Sequence, residues 1–265
     1  MNNKSRIASI LKASNLDASI TGLQSFHLSE LDLVSDFDFM LPTNLRLGHL
    51  AEKVVSLLIQ SSTNYDVLYE NVQLIENKTT IGEIDFIISN QNTKQLTHVE
   101  LAYKFYLFDP SISSEAINNW IGPNRKDSLK EKLDKLKSKQ FPLLYHHAAK
   151  EKLDALKLKD ISQKLCFLAT LFVPYNYEAS FSSVYQKAIK GYYLNIETFI
   201  SFDHSEKTYY LPQKKEWGIA PSENKNWNTF SQVYPNIKTS IAEKQALLCW
   251  QKYKDSYSAF FIVWW

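Results

Sequence analysis

The chain has 265 residues, 45% apolar and 22% charged, with a net charge of +2 at pH 7, which is the ordinary range for a globular protein of one large or two small domains. No stretch approaches the ~20 apolar residues of a bilayer span, and Met1-Asn2-Asn3-Lys4-Ser5-Arg6 leads into no long apolar run of the secretory kind. Cys166 and Cys249 both lie among apolar neighbours and read as buried reduced thiols, so the expectations are no membrane partner and a cytoplasmic location.

Residues 1–44 form a polar lead-in, helical or irregular, with the acids Glu30, Asp32, Asp36 and Asp38 toward its end. After Pro42 the apolar run Leu45, Leu47, Leu50, Val54, Val55, Leu57, Leu58 has helical spacing and implies an amphipathic helix over about 44–61. Three strand-like segments follow, 65–76, 82–89 and 96–108, joined by short polar linkers that suit an antiparallel meander. Beyond the turn signal Gly122-Pro123-Asn124, Leu129, Leu133 and Leu136 mark a helix to about Gln140. Pro142 breaks it, and a second helix is expected over 144–158. Lys164 to Val173 is an unbroken apolar strand, as in sheets buried on both faces, and its helical approach implies pairing parallel to an earlier strand. The last 90 residues are aromatic-rich, with a helix expected over 240–254 and a final strand over 260–265. The chain thus divides into the lead-in (1–44), an α/β (α+β) core (45–175) and an extension packed on the same domain (176–265).

From Arg125 to Asp160 there are 11 Lys or Arg against 6 Asp or Glu, a local charge of +5 in a chain of +2. Such a segment attracts phosphate; lysine-rich helix faces are also common as plain solvated surface. Arg125 and Lys126, just ahead of a helix, suit phosphate in the same way, and Asp127 reads as that helix's cap.

Strands send alternate side chains to opposite faces. Glu83, Asp85 and Ile87 share one face of the second strand, and His98, Glu100, Ala102 and Lys104 share one face of the third. If the strands are neighbours, Asp85 and Glu100 lie side by side. Like charges directly opposed in a sheet are destabilising and call for a cation or a proton. Two hard carboxylate donors beside a lysine suit Mg²⁺ or Mn²⁺. His98 is within reach of Glu100 for a hydrogen bond. His49, three residues before Glu52, reads as a helix-surface histidine, Glu83 as a solvated acid and His146-His147 as surface.

Glu52 (with Gly48) on the first helix, Gly82-Glu83-Ile84-Asp85 on the second strand, and Val99-Glu100 through Lys104 on the third resemble the PD-(D/E)XK nuclease superfamily over residues 45–175. Within it, His98 to Leu107, Ile121 to Asp127, Tyr210-Leu-Pro and the ending Phe-Ile-Val-Trp are similar to an uncharacterised bacterial family of unknown function. The resemblance implies a restriction-endonuclease-like mixed β-sheet flanked by helices. It also implies a Mg²⁺- or Mn²⁺-dependent phosphodiesterase acting on DNA or RNA. Asp85 and Glu100 would hold the metal, Glu52 would complete its shell and Lys104 would serve the attacking water. Lys132 and Gln140, on the following helix, are secondary candidates for contacting nucleic acid. One departure stands out. The superfamily's acid and lysine are separated by one residue, whereas Leu101, Ala102 and Tyr103 separate Glu100 from Lys104, so the Cα spacing is ~13 Å instead of ~6.6 Å. That spacing leaves room for the alternative of a weakly active or inactive module that binds nucleic acid or a protein partner. No oligomeric state is implied.

Overall fold

The computed structural model describes residues 3–33 and 39–265; the expected acidic positions Asp36 and Asp38 lie outside them. In chain order the principal elements are α1 (Asn3–Leu11), α2 (Leu47–Gln60), β1 (Tyr65–Glu76), β2 (Thr79–Asn90), β3 (Leu96–Phe108), α3 (Leu129–Lys135), α4 (His147–Lys152), β4 (Ser162–Pro174), β5 (Ile189–Asn195), β6 (Lys207–Tyr210), α5 (Phe230–Ala242), β7 (Leu247–Tyr253) and β8 (Ser256–Val263). The fold is mixed α/β. Among the described residues no helix is long and apolar enough to cross a membrane.

The chain divides into two compact units, each assembled from separated stretches of sequence. The first comprises Asn15–Tyr103 and Glu131–Leu168. In it β1, β2 and β3 form the expected antiparallel meander, and β4 lies next to β3. Thr97 meets Ser162 and His98 meets Gln163. The two chains therefore advance together, as parallel strands do. Helix α2 forms where the spacing said, burying Leu50, Ala51, Val54, Val55, Leu58 and Ile59. Helix α4 and its C-cap residue Leu153 pack Ala148, Ala149 and Leu153 with Leu74, Ile84 and Ile87 of the hairpin. Full burial of aliphatic side chains contributes roughly 1.5–3 kcal/mol each.

Between α3 and α4 the chain departs from the expected pair of helices. The α-helix stops at Lys135 and widens into a π-turn over Leu136–Gln140, then tightens to a 3₁₀ turn over Phe141–Tyr145 that takes Pro142 near its start. The second helix covers only His147–Lys152, capped by His146, whose Nδ1 accepts the Ala148 N–H.

The second unit comprises Met1–Ser14, Lys104–Lys130 and Ala169–Trp265. Its strand order is β4-β5-β8-β7-β6, parallel at β4/β5 and β5/β8 and antiparallel thereafter. Helix α5 packs Val233 and Ile237 against Tyr209, Cys249, Phe260 and Ile262. Here the expected helix over 240–254 is corrected. The helix lies earlier, over 230–242, with Pro235 inside it, and 247–253 is a strand. A proline normally argues against a helix interior, which hid α5. The two-residue turn Lys254-Asp255, with Lys254 at φ 53°, folds β7 back onto β8, and that final strand runs Ser256–Val263.

Gly82 opens the Gly-Glu-Ile-Asp segment for a packing reason. A Cβ placed there would run into Leu143 Cδ1 and crowd its other branch. Gly82→Ala is expected to destabilise the protein by about 1–3 kcal/mol through overpacking. In Leu143→Ala, which removes the obstruction, the same change should cost far less. Equal costs in both backgrounds, read from denaturant unfolding, would contradict this packing account.

Candidate functional site

Strands β2 and β3 pair Phe86 with Val99 and Ile87 with His98. One step further in this register sets Asp85 opposite Glu100. There the side chains take over from the backbone ladder. The Leu101 N–H donates to Asp85 Oδ2 at 2.8 Å, and the Asp85 backbone N–H faces the Glu100 carboxylate as a donor. Both acids are out of water, Asp85 at 8% exposure and Glu100 at 0%.

Glu100 is held at both oxygens. Oε1 accepts from His98 Nε2 at 2.8 Å and Oε2 from Gln140 Nε2 at 2.7 Å. Gln140 Oε1 in turn accepts from Lys132 Nζ at 2.7 Å. Behind His98, Gln163 Nε2 donates to the ring's Nδ1 at 3.1 Å and to the Phe141 carbonyl at 2.7 Å. A ring that accepts at Nδ1 carries its proton on Nε2, where it is donated to Glu100. The π-turn matters because Lys132 and Gln140 stand on either side of its start, and both reach this one network.

Burial sets the electrostatics. It pushes the Glu100 carboxyl up to about 8, against the pull of the Lys132 ammonium and the Asp85 N–H. It also raises Asp85 well above the usual carboxylate range, with repulsion from Glu100 adding to the shift. It lowers His98 to about 4. The His98–Glu100 contact at neutral pH is therefore a hydrogen bond from a neutral ring, not an ion pair. Lys132 is the cation that favours the charged form of both acids.

Glu52 projects from α2 beside this pair and adds to the repulsion that raises both acids. Its Oε2 lies 2.9 Å from His49 Nδ1, and this hydrogen bond raises the His49 pKa. His49, Glu52, Lys53, Gln73 and Glu83 line a cleft of about 300 Å³. The expected surface histidine is thus half of a histidine–carboxylate pair at a cleft wall.

The structure brings Glu52, Asp85, Glu100, Lys132 and Gln140 together within the first unit. The other sequence-derived candidates, Lys104, Arg125 and Lys126, belong to the second. Lys104 Nζ donates to Asp127 Oδ2 at 2.9 Å. Arg125 Nη1 donates to Asp109 Oδ2 at 2.9 Å, with its guanidinium 4.6 Å from the Trp265 ring centre. Lys126 is exposed. Gln163 escaped the sequence reading altogether, since a glutamine at the start of an apolar strand carries no signal of its own.

Asp85, Glu100 and Glu52 offer the hard carboxylate oxygens that a divalent cation takes, and Lys132 is the ammonium that pulls against the burial of both acids. Among the described residues these three acids do not gather their oxygens within 4.8 Å of one another, as the ligand atoms of Glu76, His146 and His147 do.

The pH dependence has a definite sign. Between pH 4.5 and about 8 the folded protein keeps a proton on Glu100 that the unfolded chain has lost, so stability falls as pH rises. His98 acts oppositely between about 4 and 6.5, where the unfolded ring is charged and the folded one neutral. Above 6.5 the His98 effect is spent, and the raised His49 adds to the carboxyl effect in the same direction. The melting temperature is expected to fall from pH 6.5 to about pH 8.5. Glu100→Gln should flatten that fall, exceeding wild type at the alkaline end and losing the advantage near pH 4.5. Parallel profiles for the two proteins would contradict it.

The family described as a domain of unknown function (DUF1853) matches residues 3–256. No curated protein and no solved structure matches the chain.

Proposed function

We propose that this chain, which belongs to the DUF1853 family, is a Mg²⁺- or Mn²⁺-dependent nuclease of the PD-(D/E)XK kind, hydrolysing phosphodiester bonds in DNA or RNA. The observation that carries the reading is the buried Asp85–Glu100 pair on adjacent strands with Lys132 coupled to both acids. Asp85, Glu100 and Glu52 are the residues that would hold the ion. When bound, the metal supplies Lewis-acid polarisation of the phosphate and a lowered pKa for attacking water.

The protein's own groups have separable tasks. Lys132 offsets negative charge beside the acids and is the ammonium that would face a phosphate's developing charge. Gln140 orients Lys132 with its carbonyl and Glu100 with its amide, so one side chain fixes the spacing of cation and acid. His98, locked by Gln163, holds the other oxygen of Glu100. Glu52 and Glu83 stand at the wall of a cleft beside the acids, and the lysines of 125–160 would supply the field that draws a polyanion. In this reading Lys132 takes the part that the strand pattern assigned to Lys104, whose amine is committed to Asp127.

A second reading has one observation behind it. Both Glu100 oxygens are occupied by the protein's own donors, a closed arrangement that suits a module binding nucleic acid or a protein without cleaving it.

The test is cleavage of single- and double-stranded DNA and RNA with Mn²⁺. Lys132→Met is expected to lower the rate about 10²–10³-fold, the scale for losing one stabilising group in an active site. Asp85→Asn should abolish cleavage, and Lys104→Met should stay within a few-fold of wild type. Loss of activity in Lys104→Met with retention in Lys132→Met would reverse the assignment. Absence of cleavage in every protein would leave the binding module.

A further inference from the structure

His146-His147 and Glu76 are about seventy residues apart, and no motif spacing joins them. The fold does. Glu76 ends β1 and pairs with Thr79 across Asn77 and Lys78, which have φ of 48° and 64°. Two successive left-handed residues make a tight hairpin turn, so the Glu76 backbone is fixed. His146 caps α4 and His147 is its first residue. The helix is seated on the same hairpin through Ala148, Ala149 and Leu153, and the Lys152 ammonium donates to the Gln73 carbonyl.

These supports bring three ligand atoms together. His147 Nε2 lies 3.2 Å from Glu76 Oε1, and His146 Nε2 lies 3.9 Å from the same oxygen. The imidazole rings are 4.3 Å apart at their centres. One ligand atom from each of the three residues falls within 4.8 Å of the others. Two ligands bound ~2.0–2.1 Å from one tetrahedral ion stand ~3.3 Å apart. The two Glu76–histidine distances bracket that value, so small side-chain rotations close the chelate.

We propose that Glu76, His146 and His147 form a binding site for one transition-metal dication, Zn²⁺ foremost. Two imidazoles and a carboxylate make a borderline donor set that favours Zn²⁺ over Mg²⁺ or Ca²⁺. This sets the site apart from the all-oxygen set of Asp85, Glu100 and Glu52. Three protein ligands leave the fourth position to water. His146 Nδ1 accepts the Ala148 N–H over a long 3.3 Å. Binding through Nε2 moves the ring proton to Nδ1 and gives up that bond. The ion ties the start of α4 to the end of β1.

The experiment uses the full chain, stripped with a chelator and titrated with ZnCl₂ by calorimetry, with Co²⁺ as a visible probe. Wild type is expected to bind one more equivalent of Zn²⁺ than the double variant Glu76→Gln, His147→Ala. Excess Mg²⁺ should leave that equivalent in place. Co²⁺ should give the intensified visible absorption of a tetrahedral centre in wild type only. Both side chains are partly exposed, and circular dichroism checks that the variant keeps its fold. Equal Zn²⁺ uptake by the two proteins, or none by wild type, overturns the proposal. Neither outcome depends on nuclease activity.

Discussion

Two carboxylates taken out of water on facing positions of adjacent strands set the terms for everything around them. Asp85 and Glu100 each lose hydration; Glu100 makes Asp85 harder to ionise, and Glu83 and Glu52 do the same to Glu100. Such a pair persists only where neighbours supply donors, protons or positive charge. The first unit supplies the donors from four directions: the β3 backbone, His98, Gln140, and Lys132 acting through Gln140. The acids are therefore held in position, with burial favouring their protonated forms.

This arrangement gives the irregular segment after α3 its meaning. A continuous α-helix would be the simpler way to cover the sheet. The chain passes instead through a π-turn and a 3₁₀ turn, and π-turns recur at functional sites because they re-aim side chains. The segment places Gln140 on Glu100, puts the Phe141 carbonyl on Gln163 and seats Leu143 against Gly82. The motif glycine, the buried acids and the helix irregularity are parts of one packing solution.

Much of this was legible in the residue order. Alternation of apolar and polar positions located β1 to β3 closely, and helical spacing located α2, because each buries one face and exposes the other. The acid faces followed from strand periodicity alone. Counting along β3 pointed to Lys104, yet a strand's periodicity says nothing about a lysine arriving from a helix thirty residues on. The shared reach of Lys132 and Gln140 depends on a π-turn that propensity does not signal. Toward the C-terminus, Pro235 masked α5, and the apolar Leu247–Tyr253 run read as helix because short apolar runs fit either period. Glu76 and the two histidines meet only through the docking of α4 on the hairpin, a tertiary event.

The central claim is that Asp85 and Glu100 form a cation site held protonated by burial until the ion arrives. Calorimetric titration with Mn²⁺ at pH 7, repeated in buffers of different ionisation enthalpy, counts protons released per ion bound. With Glu100 titrating at about 8, the account expects about one proton released from Glu100 per ion at pH 7, a contribution that shrinks as the pH rises past 8. Mn²⁺ binding without proton release, or release unchanged in Glu100→Gln, would contradict it.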